Sequence, residues 1–173
     1  MLLKTERLFL REMEEADLPS LRRILQDPEV MYAYEHAFTE EEVQAWFQKQ
    51  KTNYARYGYG LWAVVLSETG EMIGQCGLTP QQWNGREITE IGYLFAKAFW
   101  HRGYAVEAAK ACKKYAFDLL NEREVFSVIR DQNLASQKVA RRNGMQIRGR
   151  MVKHYYGMDM PHLVFSVRQE EDS

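Results

Sequence analysis

Cysteine is scarce: the 173-residue chain holds two, Cys76 and Cys112. Two thiols that far apart build neither a disulfide framework nor a metal site, and each reads as a small buried hydrophobe. The four histidines are scattered, with no ligand pair at short spacing, so no metal is expected. No apolar run is long enough to span a membrane, and the first residues carry no signal-peptide pattern, which predicts a cytoplasmic protein. Excess charge is missing as well. A formal net charge of -1 argues against a nucleic-acid or membrane surface as partner. There is no low-complexity tract, no internal repeat and no interdomain linker. What remains, 46% apolar and 27% charged, is the composition of one globular domain over residues 1–173, long enough to bury a core.

The most informative stretch runs from Glu87 to Leu120, EITEIGYLFAKAFWHRGYAVEAAKACKKYAFDLL. In its first part Ile91, Tyr93 and Phe95 alternate with Glu90, Gly92 and Leu94, as on the two faces of a strand. In its last part Ala105, Ala108, Ala109, Cys112, Ala116, Leu119 and Leu120 recur at helical spacing and give a small-residue face that can lie close to a sheet. Between them, Gly103 leaves the backbone uncovered at the mouth of the helix. The first amides of that helix have no internal partner and can hold an anion, most naturally a phosphate. A tight strand-to-helix turn with Gly103 and Ala105 chosen for packing would give the same pattern.

Read in order, the chain opens with a strand, RLFLREM (Arg7–Met13), followed by a helix over Ala16–Gln26 with Leu18, Leu21 and Leu25 on one stripe. The aromatic segment VMYAYEHAF suits the wall of a ligand pocket or a simple cover for the core by Tyr32 and Tyr34. Thr39 and Glu42 form a capping box for a helix presenting Val43, Trp46, Phe47, Gln50 and Tyr54. LWAVVLS and MIGQCGLTP are strands around the turn ETGE; Gly74 and Gly77 mark a bulge or a close approach. QQWNGRE turns into the central strand, Ile88–Phe95. After the small-residue helix come a strand, Glu124–Arg130, and a short helix, Leu134–Arg142, stopped by Asn143-Gly144. MQIRGRMVKHYY and HLVFSV then flank Gly157–Pro161 as an antiparallel pair, and RQEEDS is a loose tail.

WHRGYAVEA, Trp100–Ala108, resembles the acetyl-coenzyme A signature of the GNAT N-acetyltransferases, and in particular the branch related to ribosomal-protein N-terminal acetyltransferases (RimJ/RimL-like). That superfamily carries Gln/Arg-x-x-Gly-x-Gly/Ala. Gly103 and Ala105 stand at its two small positions, Trp100 replaces the Gln/Arg, and His101 stands where a glycine is frequent. NLASQKVARRNGM, Asn133–Met145, is similar to the branch's second motif. The resemblance runs from Thr5 to about Val167. It implies the GNAT fold, an α/β architecture with a mixed, largely antiparallel central sheet flanked by helices. It also implies acetyl-CoA as cofactor substrate, held by Trp100, His101, Arg102, Gly103, Tyr104, Ala105, Asn133 and Ser136.

The acceptor amine must lose a proton, a task for a carboxylate whose pKa is lifted by burial. Glu90 is the candidate base, similar enzymes having a glutamate there; a surface carboxylate opposing a basic residue is the other reading. Gly92, Tyr93 and Leu94 would offer backbone amides to the acetyl carbonyl and the pantetheine arm. Many GNAT enzymes protonate the thiolate with a tyrosine four residues past the Ser136 position. Here that position is Ala140, and the resemblance passes the role to Ser136, which with Asn133 is otherwise a helix cap. His154 and His162, near the final hairpin, read either as structural, the commoner role of a lone histidine on a strand, or as within reach of the acceptor, and His36 reads as an acceptor contact rather than the base. The reading is direct transfer of acetyl to a primary amine, a protein N-terminal amino group or alternatively a small amine such as an antibiotic or polyamine. A non-catalytic acyl-CoA-binding module is the second alternative. The protein is expected to be a monomer or homodimer.

Overall fold

The computed structural model describes residues 2–155 and 157–172. The chain begins with β1 (Leu3–Lys4) and β2 (Leu8–Arg11), then α1 (Leu18–Leu25) and α2 (Glu40–Tyr57). A meander follows: β3 (Leu61–Leu66), β4 (Met72–Trp83) and β5 (Arg86–Phe95). Then come α3 (Tyr104–Asp118), β6 (Glu124–Arg130) and α4 (Leu134–Arg142), and last the pair β7 (Gln146–Tyr155) and β8 (Met158–Arg168). The strands make one sheet in the order β1-β2-β3-β4-β5-β6-β8-β7, antiparallel at each junction except β5–β6. This is the mixed, largely antiparallel GNAT architecture.

The alternation along β5 decides which helix each face meets. Ile91 and Phe95 enter the core shared with Ala108, Ala109, Cys112 and Ala116 of α3. Leu94, on the other face, joins the core built by α1 and α2 around Leu21, Ile24, Val43 and Phe47. α2 begins as its capping box requires, with Thr39 accepting from the Glu42 amide at 3.2 Å and the Glu42 carboxylate accepting from the Thr39 amide at 2.9 Å. The glycines of β4 record close approaches. A Cβ on Gly77 would stand 2.0 Å from the Gly60 carbonyl oxygen, and one on Gly74 2.5 Å from the Phe95 ring. Val64 pairs with Gly74 and Val65 with Met72, which leaves Ile73 of β4 as the extra residue of a bulge beside Gly74.

Several sequence expectations need correction. The turn after β4 is not QQWNGRE but only Asn84-Gly85, with φ of 50° and 75°, because Asn-Gly closes a two-residue hairpin whose twist suits the flanking strands. The last hairpin is tighter too: Met158–Pro161 belong to β8, and Tyr156 lies outside the described residues. Leu119 lies past the end of α3 and is 65% exposed. RQEEDS is tied down, through a short helical turn at Gln169–Glu171 and the ion pairs Lys113–Asp172 and Arg148–Glu171; Ser173 is outside the described residues. Tyr34 lies edge-on over Phe38 and Trp46 at the margin of the α1–α2 core and stays 36% exposed, while Tyr32 is 50% exposed.

Candidate active site

The sheet opens at its middle. β5 runs antiparallel to β4 over ten register pairs, from Arg86–Trp83 to Phe95–Gly74, but it pairs with β6 at one position, Glu90–Phe126. Just beyond, the Ser127 hydroxyl donates to the Ile91 carbonyl at 2.8 Å. The Phe95 carbonyl, four residues on, accepts from the Trp100 indole at 2.9 Å. In a regular strand a residue's N–H and C=O leave on the same side, and that side alternates. Ile91, Tyr93 and Phe95 therefore point their backbone groups away from β4, and Gly92 and Leu94 point theirs toward it. Of the three amides expected to serve a ligand, only that of Tyr93 opens onto the split. Antiparallel pairing claims the other two.

A cleft of about 520 Å³ fills this split and continues toward α2. It brings together Glu90, Gly92, Tyr93, Leu94, Asn133 and Ser136, with Tyr34, His36, Phe38 and Trp46 as an aromatic wall. Phe38 and Trp46 meet edge to face at 5.5 Å, and Tyr34 packs on both. One sheet face supplies the floor. Cross-strand register aligns Glu90 with Thr79, Arg130 with His162, and Lys153 with Met160, and all six line the cleft.

Glu90 is partly open to the cleft, but its carboxyl is surrounded by protein atoms. That burial raises its pKa above the ordinary value, against the nearby positive charge of Lys153, a bond from Gln81 Nε2 at 3.2 Å, and the more weakly acting Lys49. His162 is 8% exposed and donates through Nδ1 to the Met160 carbonyl at 2.7 Å, which leaves Nε2 as the acceptor of the neutral ring. Burial lowers its pKa, helped by Lys153 and Arg130, so the ring stays neutral. His36 is engaged by Glu42 at 2.8 Å, and His154 by Asp159 at 2.5 Å on the exposed hairpin, away from the cleft lining.

The first turn of α4 is where β5 and the aromatic loop converge. Asn133 accepts from the Ser136 amide at 3.2 Å and from the Tyr32 hydroxyl at 2.7 Å. The Tyr93 hydroxyl donates to the Ser136 carbonyl at 2.8 Å. Burial pushes this phenol far above its ordinary pKa. Ala140, by contrast, is 1% exposed and packed into the core with α3. A side chain there points into the protein interior, whereas Ser136 lines the cleft. The phenol of Tyr93 is a group that the sequence reading missed. Its signal was a tyrosine on the core-facing side of a strand, whose hydroxyl needs a buried partner.

The signature loop follows β5. Gly103 adopts φ 83° and His101 φ 63°, so the frequent glycine at the His101 position matches a left-handed backbone there. Trp100 turns back to the Phe95 carbonyl and packs on both large cores, so it braces the loop. Arg7 is the second missed residue. It donates to the Arg102 carbonyl at 3.0 Å, lies 4.3 Å over the Tyr104 ring and pairs with Glu107 at 2.8 Å. Tyr104, Ala105 and Val106 begin α3, and as first-turn residues their amides have no intrahelical acceptor. At Gly103 an added Cβ would meet only the tip of Arg7, at 3.3 Å. A bare helix mouth next to a strand with one open amide fits a ligand with an anionic head and a narrow thioester tail.

Residues 7–146 match the family profile described as acetyltransferase (GNAT) domain. The chain belongs to the GNAT acetyltransferases. It is similar to the Bacillus subtilis protein YkkB, 39% identical over 83% of this chain and 84% of that protein. It is also similar to an acetyltransferase of known structure from Agrobacterium tumefaciens, with a TM-score of 0.81, 31% identity, and 96% and 94% of the two chains covered. A ribosomal L7/L12 α-N-protein acetyltransferase, RimL, solved in complex with coenzyme A, shares the fold at a TM-score of 0.76 and 20% identity over 97% of both chains. This GNAT protein is an acetyl-CoA-dependent acetyltransferase. Among its described residues no helix is long and apolar enough to cross a membrane, and no cluster could hold a metal ion.

Proposed function

We infer that the protein transfers acetyl from acetyl-CoA directly to a primary amine, with residues 1–173 acting as one catalytic domain. The observation that carries this reading is the convergence, in one cleft, of Glu90, the open amide of Tyr93 and the first turn of α4. Gly103, Tyr104 and Ala105 would take the pyrophosphate on their backbone, in a loop braced by Trp100, His101 and Arg102. Asn133 would meet the pantetheine arm. Bound there, acetyl-CoA supplies an activated acyl group on a leaving thiolate. The Tyr93 amide would donate to the acetyl carbonyl as charge develops on its oxygen. Glu90 would take the ammonium proton, directly or through water, and Ser136 would steady the thiolate. Because a thiol has a pKa near 8.5, the thiolate needs no strong acid to leave.

A covalent acetyl-cysteine route is disfavoured. Cys76 and Cys112 are fully buried, 3.6 Å apart at sulfur, and neither lines the cleft. Burial, followed by the contact with Cys112, raises the Cys76 thiol further out of the nucleophilic range. For the acceptor, the resemblance to the RimJ/RimL-like branch favours a protein N-terminal amino group.

Thiol release from acetyl-CoA, measured against peptides and small amines, tests the activity; silence with every amine would remove the catalytic reading. Calorimetric titration of Gly103→Val tests the cofactor loop. A β-branched side chain at φ 83° strains the loop and covers the helix mouth, so acetyl-CoA affinity should fall at least about tenfold in a protein that still folds. Equal affinity in folded mutant and wild type would mean that this loop does not hold phosphate.

A further inference from the structure

The cleft beyond Glu90 carries more positive charge than the reaction of an ammonium group calls for. Lys49, Arg130 and Lys153 line it, against the carboxylates of Glu90 and the exposed Glu35. Neither Lys49 nor Lys153 forms an ion pair among the described residues, although Lys153 is half-buried. Arg130 donates through Nη1 to the Ala33 carbonyl at 3.0 Å, while its buried Nε has no partner. Lys153 and Arg130 reach the same floor as His162, through the β6–β8 and β8–β7 registers.

Building on the amine-acetyltransferase reading, we propose that the acceptor is a primary amine that bears a carboxylate a few bonds away, held by Lys153 with help from Lys49 and Arg130. Lys153 feels the Glu90 carboxylate but forms no ion pair with it, and half-burying an ammonium with no direct partner is unfavourable; a carboxylate arriving with the substrate relieves it. Glu90 then faces the amine end and Lys153 the acid end, so the two ends of the acceptor are told apart by charge. A polyamine would instead bring a second ammonium against unpaired lysines. The required chemistry occurs in a free amino acid and equally in a peptide whose first residue is acidic.

These cations have one competing use. Positive charge near the amine also lowers its pKa and favours the neutral nucleophile. That effect acts on every acceptor alike, whereas carboxylate binding acts only on acceptors that carry one. The test is therefore kcat/KM for wild type and Lys153→Gln at saturating acetyl-CoA, over two acceptor series. Glycine, glycinamide and ethylenediamine vary the tail charge of a small amine. C-terminally amidated tripeptides beginning with Glu, Gln or Lys vary it on a peptide. Taking the wild-type to variant ratio for each acceptor cancels its intrinsic reactivity.

The expected result is a loss of about tenfold or more on Lys153→Gln for the carboxylate-bearing member of one series, carried mainly by KM. The loss is read against the neutral member, whose ratio carries the effect of Lys153 on Glu90 that all acceptors share, and the cationic member should fare better than the neutral one. The series that responds identifies the source as free amino acid or acidic peptide. Equal ratios across both series, or a wild-type preference for the diamine or the Lys peptide, would overturn the proposal while leaving the acetyltransferase reading intact. Acetyl-CoA binding by calorimetry with no turnover of any acceptor would instead overturn that reading, and the acceptor proposal with it.

Discussion

Glu90→Gln is expected to lower kcat by about 10²-fold or more at neutral pH, with little change in acetyl-CoA affinity. The raised pKa of Glu90 makes it a better proton acceptor than an exposed glutamate, and glutamine keeps its shape without that capacity. The deficit should shrink as pH rises and the amine deprotonates unaided. Stability should move the opposite way. A carboxyl whose folded pKa lies above its unfolded value binds more protons when folded, so ionisation costs stability as pH rises above about 4.3. Glu90→Gln escapes that cost. Its melting temperature should therefore exceed that of wild type near pH 7, and the advantage should fade toward pH 4. Less activity with more stability separates a strained base from a packing residue, whose loss would lower both. An unchanged pH–rate profile would take Glu90 out of the chemistry and direct attention to the neutral ring of His162.

Ser136→Ala is expected to lower kcat by roughly 30- to 1,000-fold, the effect of losing one donor at a developing charge, about 2–4 kcal/mol. KM for acetyl-CoA should not rise to match. The Ser136 hydroxyl forms no hydrogen bond among the described residues, whereas its amide and carbonyl are held by Asn133 and Tyr93. Removing the hydroxyl thus leaves the helix start in place. Ala140→Tyr, the substitution that would restore the common tyrosine, should bring no gain. Position 140 is 1% exposed against α3, so a phenol there overpacks the core, at a cost of about 3 kcal/mol. Single-turnover kinetics and urea denaturation of both variants check this pair. Full kcat in Ser136→Ala, with chemistry limiting the rate, would mean that the thiolate leaves unaided and Ser136 serves only the helix. Higher kcat in a stable Ala140→Tyr would contradict the buried position of residue 140.

Local patterns determined much about this protein. The element bounds of β6 and α4, the Thr39–Glu42 capping box, the left-handed Gly144, and the split of β5 into two faces all follow from short-range rules of sterics, capping and alternation. The family is legible for the same reason, because the helix mouth that the signature describes is a contiguous segment. What sequence could not decide is whatever depends on strands far apart in the chain. The single pairing of β5 with β6 opens the sheet, and the one ladder left to β5, with β4, leaves Tyr93 alone of three adjacent amides free. The Tyr93 hydroxyl finds its partner 43 residues away on α4, and Arg7 reaches Arg102 across 95. Ala140 and Ser136 share a helix face by spacing, yet one meets α3 and the other the cleft, since the neighbours differ along the axis. The charges of Lys49, Arg130 and Lys153 are scattered in the chain and were invisible as a group. Only the β6–β8–β7 registers and the packing of α2 bring them around one cavity.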